Sequence, residues 1–506
     1  MHIRAATKVS SPALPSCMSE RGQSTSMGSI GQVWVDAIRP PIGTAKLDGR
    51  LIAVSNRVSR PTKAATAGGL AQALSEALRG GDGLWVGWSG EYGHAGHADN
   101  GFDFETVGDM AFGLLDIDPD TFRGYYEGYA NSVLWPVFHG RPDLVARTDG
   151  DFSAYSTVNT AFAEAIARTA VPGDTIWVHD YHFLILASAL RARGMGGPIG
   201  LFLHIPFPQP ATFRTLPEAR HIVRALAAYD TIGVQTRRDA VRLAETLASV
   251  GEGTIVTDRA GFRVLVHGSH VRIKVRPIGT QPREIEASLA KPPPEDVAAY
   301  LAFAARTYSL IGIDRLDYSK GIAHRIRGFE RYLAADPARA GDTVFTQIAP
   351  LSRETVPAYS RERAEVEAEA GHLISRFGGL ADSPFKLMTK GCDRVGVAHL
   401  LRGADAALVT PLADGMNLVA KEYVAAQDPA DPGVLILSDM AGAAEDMTDA
   451  LIIDPHDAEG IAAAIRASRA MPLGERRERH AALMKVVEAT RVDRWVAACV
   501  ADLAAD

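Results

Sequence analysis

Short apolar runs rich in β-branched residues alternate with helical patterns from residue 50 onward. Such alternation is typical of βαβ units, which build parallel sheets covered by helices. In the first half the pattern predicts strands at 50–54, 84–88, 175–179, 199–204 and 230–234, with a helix at 182–194 among the intervening segments. The second half repeats it, with strands predicted at 308–313, 344–348, 406–410 and 433–437. We therefore predict an α/β protein with two Rossmann-like, doubly wound parallel-sheet domains facing each other across a cleft.

Length and local composition divide the chain further. A chain of 506 residues is too long for one hydrophobic core, which favours two domains. Proline and turn residues between the halves mark a hinge. We predict a domain at 49–282, a second domain at 283–475, and a helical tail at 476–506 that packs back across both. Residues 1–48 are Ser-rich and polar without the apolar run of a signal peptide, so we expect a flexible extension, with an upstream start codon that the fold does not need as the alternative.

Charge and cysteine content exclude several classes of protein. A net charge of −7 disfavours a general nucleic-acid binder, and no apolar run approaches the length of a membrane-spanning helix. Cys17, Cys392 and Cys499 are isolated and lack metal-ligand spacing, which suits a reducing compartment. We expect a cytoplasmic protein with neither a nucleic-acid partner nor a membrane partner.

The stretch VTPLADGMNLVAKEY, residues 409–423, passes from a predicted strand through a turn into a helix. Ligands of doubly wound sheets bind beyond the C-terminal ends of the strands, which puts Asp414 at the rim of the cleft. The free N–H groups of a helix beginning near Asn417 suit a phosphate, and Glu422 suits a vicinal diol. No Lys or Arg adjoins Asp414, so we expect a carboxylate without a cationic partner that accepts hydrogen bonds from sugar hydroxyls. A helix-capping Asp and a solvated Glu are the alternative.

A second strand end carries cations. In IDRLDYSKG, Arg315 and Lys320 bracket a turn, and two cations so placed suit a diphosphate. The alternative is a solvated turn with a local pair between Arg315 and Asp317. Arg353 follows the next predicted strand and brings a third cation to the same rim.

Polar residues also end the strands of the first half. Arg57 follows the first strand, Asp180 the third and His204 the fourth. A single His at a strand end is more often structural than catalytic, so His204 alone carries little weight. Together with the second half, however, these residues describe a cleft that binds phosphate and polyols.

Glycine and aromatic residues add to this cleft. Gly68 and Gly69 precede a predicted helix and permit a ligand to approach the backbone closely. Tyr126 and Trp135 lie in an aromatic-rich segment and suit the wall of a sugar site, with a core or lid role as the alternative. The chain has neither a GxGxxG nor a Walker loop, which leaves an NAD-dependent oxidoreductase as a distant alternative.

Several motifs, taken in order, resemble one family. They are SNR (55–57), AGGL (67–70), GLWVGWSGE (83–91), WVHDYH (177–182), FLHIPFP (202–208), RLDYSKG (315–321), TQIAP (346–350) and VTPLADGMNLVAKEYVAAQ (409–427). Over about residues 50–500 the chain resembles the trehalose-6-phosphate synthases, retaining glycosyltransferases of family 20 with the GT-B fold. The resemblance implies glucose transfer from UDP-glucose, a co-substrate, to glucose 6-phosphate, giving α,α-trehalose 6-phosphate and UDP. No cofactor and no metal are expected. A homo-oligomer, either a dimer or a tetramer, is compatible with the resemblance.

The resemblance also implies roles for single positions. Glucose 6-phosphate is assigned to Arg57, Trp88, Tyr126, Trp135, Asp180 and Arg353. UDP-glucose is assigned to Gly69, His204, Arg315, Lys320, Asp414, Gly415, Met416, Asn417, Leu418, Val419 and Glu422. The catalytic set is Asp180, His204, Arg315, Lys320 and Asp414. Arg315 and Lys320 would neutralise the departing UDP. Front-face transfer agrees with the family, and double displacement stays open.

Two alternatives share the expected fold. A glucosylglycerol-phosphate synthase would use the same donor with glycerol 3-phosphate, and a catalytically silent protein would only sense sugar phosphates. The joint presence of Arg57, Tyr126, Trp135 and Arg353 favours the hexose phosphate. The sequence leaves open the base of the donor nucleotide and any allosteric control.

Overall fold

The computed structural model describes residue 47 and residues 49–58, 69–78, 83–93, 101–258, 261–379 and 383–505. All but one residue of the predicted extension at 1–48 therefore lie outside the described residues, as do Cys17 and Gly68.

Sixteen strands form two sheets in the described part of the chain. The first sheet contains β1 (Leu51–Arg57), β2 (Leu84–Tyr92), β3 (Asp103–Val107), β4 (Met110–Ile117), β5 (Thr175–His179), β6 (Ile199–Phe202), β7 (Thr231–Val234), β8 (Thr254–Asp258), β9 (Gly261–Val266) and β10 (Ser269–Val275). The second contains β11 (Tyr308–Ile313), β12 (Thr343–Ile348), β13 (Phe385–Met388), β14 (Ala406–Val409), β15 (Val434–Ser438) and β16 (Leu451–Ile453). The predicted α/β architecture with two sheets is confirmed.

The two sheets differ in how their strands pair. The second sheet is parallel throughout, in the order β13-β12-β11-β14-β15-β16. The first has the order β3-β4-β2-β1-β5-β6-β7-β10-β9-β8, and its β3–β4, β8–β9 and β9–β10 pairs are antiparallel. The predicted parallel strands form the centre of this sheet, and antiparallel strands that the sequence did not predict extend it at both edges. Edge strands face water, so they lack the continuous apolar runs that mark buried parallel strands.

Helices cover both sheets. Those longer than one turn are Gly69–Leu78, Asp151–Thr169, Leu186–Arg191, Ala219–Leu226, Arg237–Gly251, Pro282–Leu289, Glu295–Ala304, Ile322–Ala335, Pro357–Phe377, Arg394–Arg402, Leu418–Ala426, Ala458–Ala470, Leu473–Ala489 and Val492–Ala504. One-turn helices lie at Pro119–Phe122, Trp135–Phe138 and Pro210–Phe213, and 3₁₀ turns at Pro142–Leu144, Tyr181–Phe183, Tyr318–Lys320, Pro337–Gly341 and Gly442–Glu445. A π-helix spans Arg123–Leu134. The predicted helix at 182–194 is shorter in the structure, where only Leu186–Arg191 is α-helical.

The tail is two helices instead of one, and it contacts both halves. Leu473–Ala489 packs on the second half, where His480 Nε2 lies 3.1 Å from the Val424 carbonyl. Val492–Ala504 packs on the first sheet, where Asp502 pairs with Arg276 at 2.7 Å. The break falls where the chain crosses between the halves, and there the Val492 N–H donates to the Thr280 carbonyl at 3.3 Å. The domain boundaries at 282 and 475 stay a prediction.

Candidate active site

Three strand ends meet where the two sheets approach each other. β5 leads into Asp180 and β6 into His204, and the His204 N–H donates to Asp180 Oδ1 at 3.2 Å. The loop after β14 reaches the same place, because Gly415 packs against the His204 carbonyl. A Cβ at Gly415 would lie 2.2 Å from that oxygen, so only glycine fits. The structure thus brings Asp180, His204 and the Asp414 loop together, across more than 200 residues of chain.

Burial controls the charge of the two groups from the first sheet. It raises the pKa of Asp180 to about 6, although two backbone N–H donors and the Arg353 and Arg315 charges oppose the shift. Burial also lowers the pKa of His204 to about 3. Near neutral pH the site therefore holds an ionised Asp180 beside a neutral imidazole, whose Nε2 lies 3.2 Å from His179 Nδ1.

Asp414 does have a cationic partner. Lys320 Nζ lies 2.5 Å from Asp414 Oδ2, and Asn417 Nδ2 donates to the same oxygen at 3.1 Å. Burial opposes the charge on Lys320, but Asp414, Asp314 and Asp317 together raise the pKa of this lysine. The expectation of an unpaired Asp414 is therefore wrong, because its partner is 94 residues away in the chain. Within the described residues, Asp414 Oδ1 accepts no hydrogen bond.

The cation turn has a buried acid at its centre. Asp317 accepts hydrogen bonds from the Ser319 N–H at 3.0 Å and the Tyr359 hydroxyl at 2.9 Å. Burial disfavours its charge, but Arg353, Arg315 and Lys320 outweigh burial and hold the pKa of Asp317 at about 2. Arg315 itself is exposed and no local ion pair with Asp317 is formed in the described structure. The turn is therefore an organised cluster of charges instead of a solvated pair.

Arg353 is packed among aromatic rings. Its guanidinium lies 4.0 Å from the centroid of the Trp135 ring, and Nη2 donates to the Tyr181 hydroxyl at 3.2 Å. Nη1 donates to the Tyr359 hydroxyl and lies 3.9 Å from Asp317 Oδ2. Arg353 Nε and Trp135 Nε1 are both buried without a hydrogen-bond partner among the described residues. Two buried donors side by side are available for one anionic ligand.

Trp135 is not an open wall. Its ring stacks on His139 at 4.1 Å and carries the Arg353 guanidinium, and the residue is only 5% exposed. It therefore supports Arg353 and offers its N–H, while its ring face is covered.

The π-helix Arg123–Leu134 positions Tyr126 and leads into Trp135. Asn131 and Ser132 donate their side-chain hydrogens to the carbonyls of Tyr126 and Glu127, five residues back. These side chains thus bond to carbonyls of the π-helix, a conformation that is rare and is frequently found at functional sites. Tyr126 is half-buried and stacks on His182, with 5.8 Å between the ring centroids.

Arg57 is the exposed last residue of β1. Its guanidinium is 5.4 Å from the centroid of Trp88, whose ring is 4.3 Å from that of Phe122. Phe122 in turn stacks on Tyr126 at 5.1 Å. A continuous aromatic wall thus runs from Arg57 to Tyr126.

The helix Leu418–Ala426 begins beside Asp414. Asn417 caps it by accepting the Ala420 N–H at 3.3 Å, which leaves the preceding N–H groups for a ligand. Glu422 is half-buried in the second turn, and burial raises its pKa although the Arg394 charge opposes the shift. Of the other assigned donor residues, Met416 is buried, Leu418 and Val419 are half-buried, and Gly69 begins the helix Gly69–Leu78.

Backbone strain concentrates at this place. Five described non-glycine residues have positive φ: Asp180 (73°), Glu252 (57°), His267 (47°), Arg353 (50°) and Asn417 (76°). Three of them are residues that the sequence assigned to the site. Strained backbone of this kind persists where the surrounding structure holds it and clusters at functional sites.

Two tyrosines of the site were not predicted from the sequence. Tyr181 and Tyr359 both bind the Arg353 guanidinium, and Tyr359 links it to Asp317. Tyr181 follows Asp180 directly in WVHDYH, which was the available signal, whereas nothing in the local pattern marks Tyr359.

One group of described residues has the ligand spacing of a metal site: Glu330, Glu369 and His372. Arg376 pairs with Glu330 at 2.7 Å and Arg327 with Glu369 at 2.8 Å, so arginines already neutralise both carboxylates. A search of the described helices for membrane spans finds none with the necessary length and apolar character.

The chain is similar to known proteins over almost the whole of its described length. The model of glycosyltransferase family 20 matches residues 50–505. A trehalose-6-phosphate synthase of Salmonella paratyphi B is 40% identical over 454 residues, which cover 90% of this chain and 95% of the relative. A solved chain from E. coli, bound with UDP-2-fluoro glucose, has a TM-score of 0.85 and 39% identity, covering 90% of this chain and 99% of its own. An α,α-trehalose-phosphate synthase (UDP-forming) from Burkholderia xenovorans in complex with glucose-6-phosphate gives the same score, identity and coverage of this chain, and 100% of its own.

Proposed function

The chain belongs to glycosyltransferase family 20, and from this membership we propose that it transfers glucose from UDP-glucose to glucose 6-phosphate with retention, giving α,α-trehalose 6-phosphate and UDP. It is a glycosyltransferase of the GT-B fold. The relative from Salmonella is a trehalose-6-phosphate synthase, and the two solved relatives hold a UDP-glucose analogue and glucose 6-phosphate.

The observation that carries the acceptor assignment is the pair of buried, unpartnered donors at Arg353 Nε and Trp135 Nε1. Buried donors without an acceptor are costly, and a phosphate oxygen satisfies both. Arg57, Trp88 and Tyr126 form the wall that leads to them. We assign the phosphate of glucose 6-phosphate to Arg353, Trp135, Tyr126 and Arg57, and a hydroxyl of its sugar ring to the ionised Asp180.

Arg315 and Lys320 support the donor half of the proposal. Cleavage of the anomeric C–O bond builds negative charge on UDP, and cations already in place stabilise that charge as it develops. Lys320 is fixed by Asp414, and the exposed Arg315 is available to the diphosphate. Asp414 Oδ1 accepts a hydroxyl of the donor glucose, the N–H groups at Asn417 and Leu418 receive phosphate, and Glu422 takes the ribose diol.

The two site carboxylates orient hydroxyls in this scheme. Asp414 is held through Oδ2 by Lys320 and Asn417, and Asp180 through Oδ1 by the His204 N–H. We therefore favour front-face transfer, in which the leaving phosphate accepts the proton of the attacking hydroxyl. Because Arg315 and Lys320 supply the positive charge, we infer that transfer needs neither a metal nor a cofactor. Free thiols at Cys392 and Cys499 are consistent with a cytoplasmic location.

The test is product analysis with the purified protein. UDP-, GDP- and ADP-glucose are each supplied with glucose 6-phosphate, with and without EDTA, and UDP release and the anomeric protons of the product are followed by NMR. We expect a non-reducing α,α-linked disaccharide phosphate from UDP-glucose, undiminished by EDTA. Glycerol 3-phosphate is the matched alternative acceptor. Preference for it, or no turnover with any donor, would reject the proposed function.

A further inference from the structure

A surface cleft of about 830 Å³ lies outside the residues assigned to either substrate. Four arginines line it, Arg214, Arg237, Arg238 and Arg242, against two carboxylates, Glu245 and Glu445. Its floor is one face of the helix Arg237–Gly251, since positions 238, 241, 242 and 245 follow the helical period. A cleft of this volume is of the size that holds small molecules, and its lining carries excess positive charge.

Two positive charges, those of Arg238 and Arg242, lie close together in this arginine cleft. Arg238 and Arg242 are one helical turn apart, and the pKa of Arg242 is lowered by burial and by the Arg238 charge. Arg238 Nε is buried without a partner among the described residues, and its terminal nitrogens reach only two backbone carbonyls, both at 3.4 Å. Arg242 Nη1 likewise donates to a carbonyl, that of Phe207, at 3.3 Å.

Glu445, one of the two acids that line the cleft, is already engaged. The Glu445 carboxylate accepts the backbone N–H groups of Arg237 at 2.9 Å and Arg238 at 3.2 Å, at the start of the helix. Its charge therefore serves the helix terminus, and the side chains of Arg238 and Arg242 keep donors for a further anion.

We propose that the arginine cleft binds a small anion that carries a phosphate group, held between Arg238 and Arg242. Two adjacent guanidinium forks match the oxygens and the double charge of a phosphate group, and the cleft has room for the rest of a metabolite. Binding there neutralises two cations that repel each other, which favours the bound state.

This cleft is connected to the active site through one segment. Arg238 donates to the carbonyls of Asp439 and Met440. The Met440 carbonyl accepts the Asp414 N–H at 3.4 Å, and the Gly442 N–H donates to the Asp414 carbonyl at 3.0 Å. An anion that draws Arg238 toward itself therefore changes the backbone that holds Asp414. The resulting effect on turnover rests on the proposed function, whereas binding to the cleft does not.

The experiment is calorimetric titration of the full chain with inorganic phosphate, glycerol 2-phosphate and AMP as separate probes. The variants are Arg242→Gln, Arg242→Lys, Arg353→Ala and Arg353→Ala/Arg242→Gln, with Arg224→Gln as the control, an exposed arginine of the same half. Among the binding equivalents that survive Arg353→Ala and Arg224→Gln, we expect one that is weakened about tenfold or more by Arg242→Gln. Arg242→Lys should weaken it less, because the charge remains while the fork is lost.

The three probes distinguish free phosphate from a phosphate ester and from a nucleotide, and tight binding of any one of them supports the proposal. Equal affinities in the Arg242→Gln and Arg224→Gln variants would overturn it, as would the absence of an equivalent that survives Arg353→Ala. Circular dichroism confirms that each variant is folded. A chain that binds phosphate here but does not use glucose 6-phosphate would reject only the proposed function.

Discussion

Two carboxylates occupy equivalent places in the two sheets, yet their surroundings are opposite. Asp180 follows β5 in the first sheet and Asp414 follows β14 in the second, each in the loop beyond a central parallel strand. Asp414 lies in an ion pair with Lys320, whereas Asp180 has backbone N–H donors and only more distant cations. Burial is therefore the main influence on the charge of Asp180, whereas the charge of Asp414 is neutralised by an ion pair.

The comparison shows that strand position fixes where an acid lies but not its charge environment. In the sequence, neither Asp414 nor Asp180 has a Lys or Arg within its turn. The partner of Asp414 arrives from the loop after β11, because β11 and β14 are adjacent in the sheet. Strand adjacency in the second sheet thus creates the pair, and the first sheet offers no equivalent lysine beside Asp180 within the described residues.

The largest expected effect comes from removing the two cations assigned to the departing diphosphate, Arg315 and Lys320. Arg315→Ala and Lys320→Ala should each lower kcat by about 100- to 1,000-fold, since a donor aimed at developing charge contributes about 3–4 kcal/mol. Lys320→Ala should also lower the melting temperature, because Asp414, Asp314 and Asp317 lose their shared counter-charge. Arg315 is exposed, so its loss should lower the melting temperature less than the loss of Lys320, although Asp317 loses one of three stabilising charges. UDP release and thermal unfolding are the measurements.

Arg306→Ala is the control for these two variants, since Arg306 is an exposed arginine of the same half. Near-normal turnover in either Arg315→Ala or Lys320→Ala would contradict the leaving-group role. Equal stability of the two variants would show that the pair with Asp414 does not hold the loop.

A smaller effect is expected on the acceptor side. Arg353→Ala should raise KM for glucose 6-phosphate about 30- to 100-fold, or 2–3 kcal/mol, because a buried charged donor is lost. KM for UDP-glucose should change little. Arg57→Ala should act in the same direction but less, since Arg57 is exposed. Steady-state kinetics with each substrate varied in turn decides this, and an unchanged KM for glucose 6-phosphate would exclude the phosphate role.

The smallest effect concerns the stability contributed by Asp180. Its pKa rises from 3.8 to about 6 on folding, so the folded chain binds this proton more tightly than the unfolded chain. Wild-type stability therefore falls as pH rises through this interval and stays lower above it. The pKa difference sets an upper limit of about 3 kcal/mol, and Asp180→Asn should gain about 2 kcal/mol of this at pH 7, with no gain below pH 4.

Urea unfolding at several pH values measures this gain, and activity should fall in the same variant because the acceptor loses its carboxylate. Asp414→Asn is the matched variant from the other sheet, and it should be destabilised at neutral pH because Lys320 loses its partner. A gain for Asp180→Asn that is the same at every pH would contradict the burial argument.

The sequence was informative wherever local pattern decides structure. Buried parallel strands such as β5 and β11 were located to the residue, because continuous apolar runs ending in polar residues mark them. The same rule placed Asp180, Arg315, Lys320 and Asp414 at strand ends, where the structure has them.

Interactions between distant segments could not be predicted. The Lys320–Asp414 pair, the two tyrosines on Arg353 and the burial of Trp135 all depend on which strands are neighbours and how helices lie on them. The antiparallel edges of the first sheet were missed for a related reason, since half-exposed strands such as β3 carry a weak hydrophobic signal.

The helix Val492–Ala504 has a consequence for synthesis on the ribosome. Leu503 occupies the space above Gly200, where a Cβ would lie 2.1 Å from its side chain, and the Trp495 ring is 4.8 Å from that of Phe202. The face of the first sheet at β6 is therefore covered only after the last segment of the chain has been translated. During elongation β6 must remain open on this face or be shielded by a chaperone, and premature termination before Val492 leaves it exposed to aggregation.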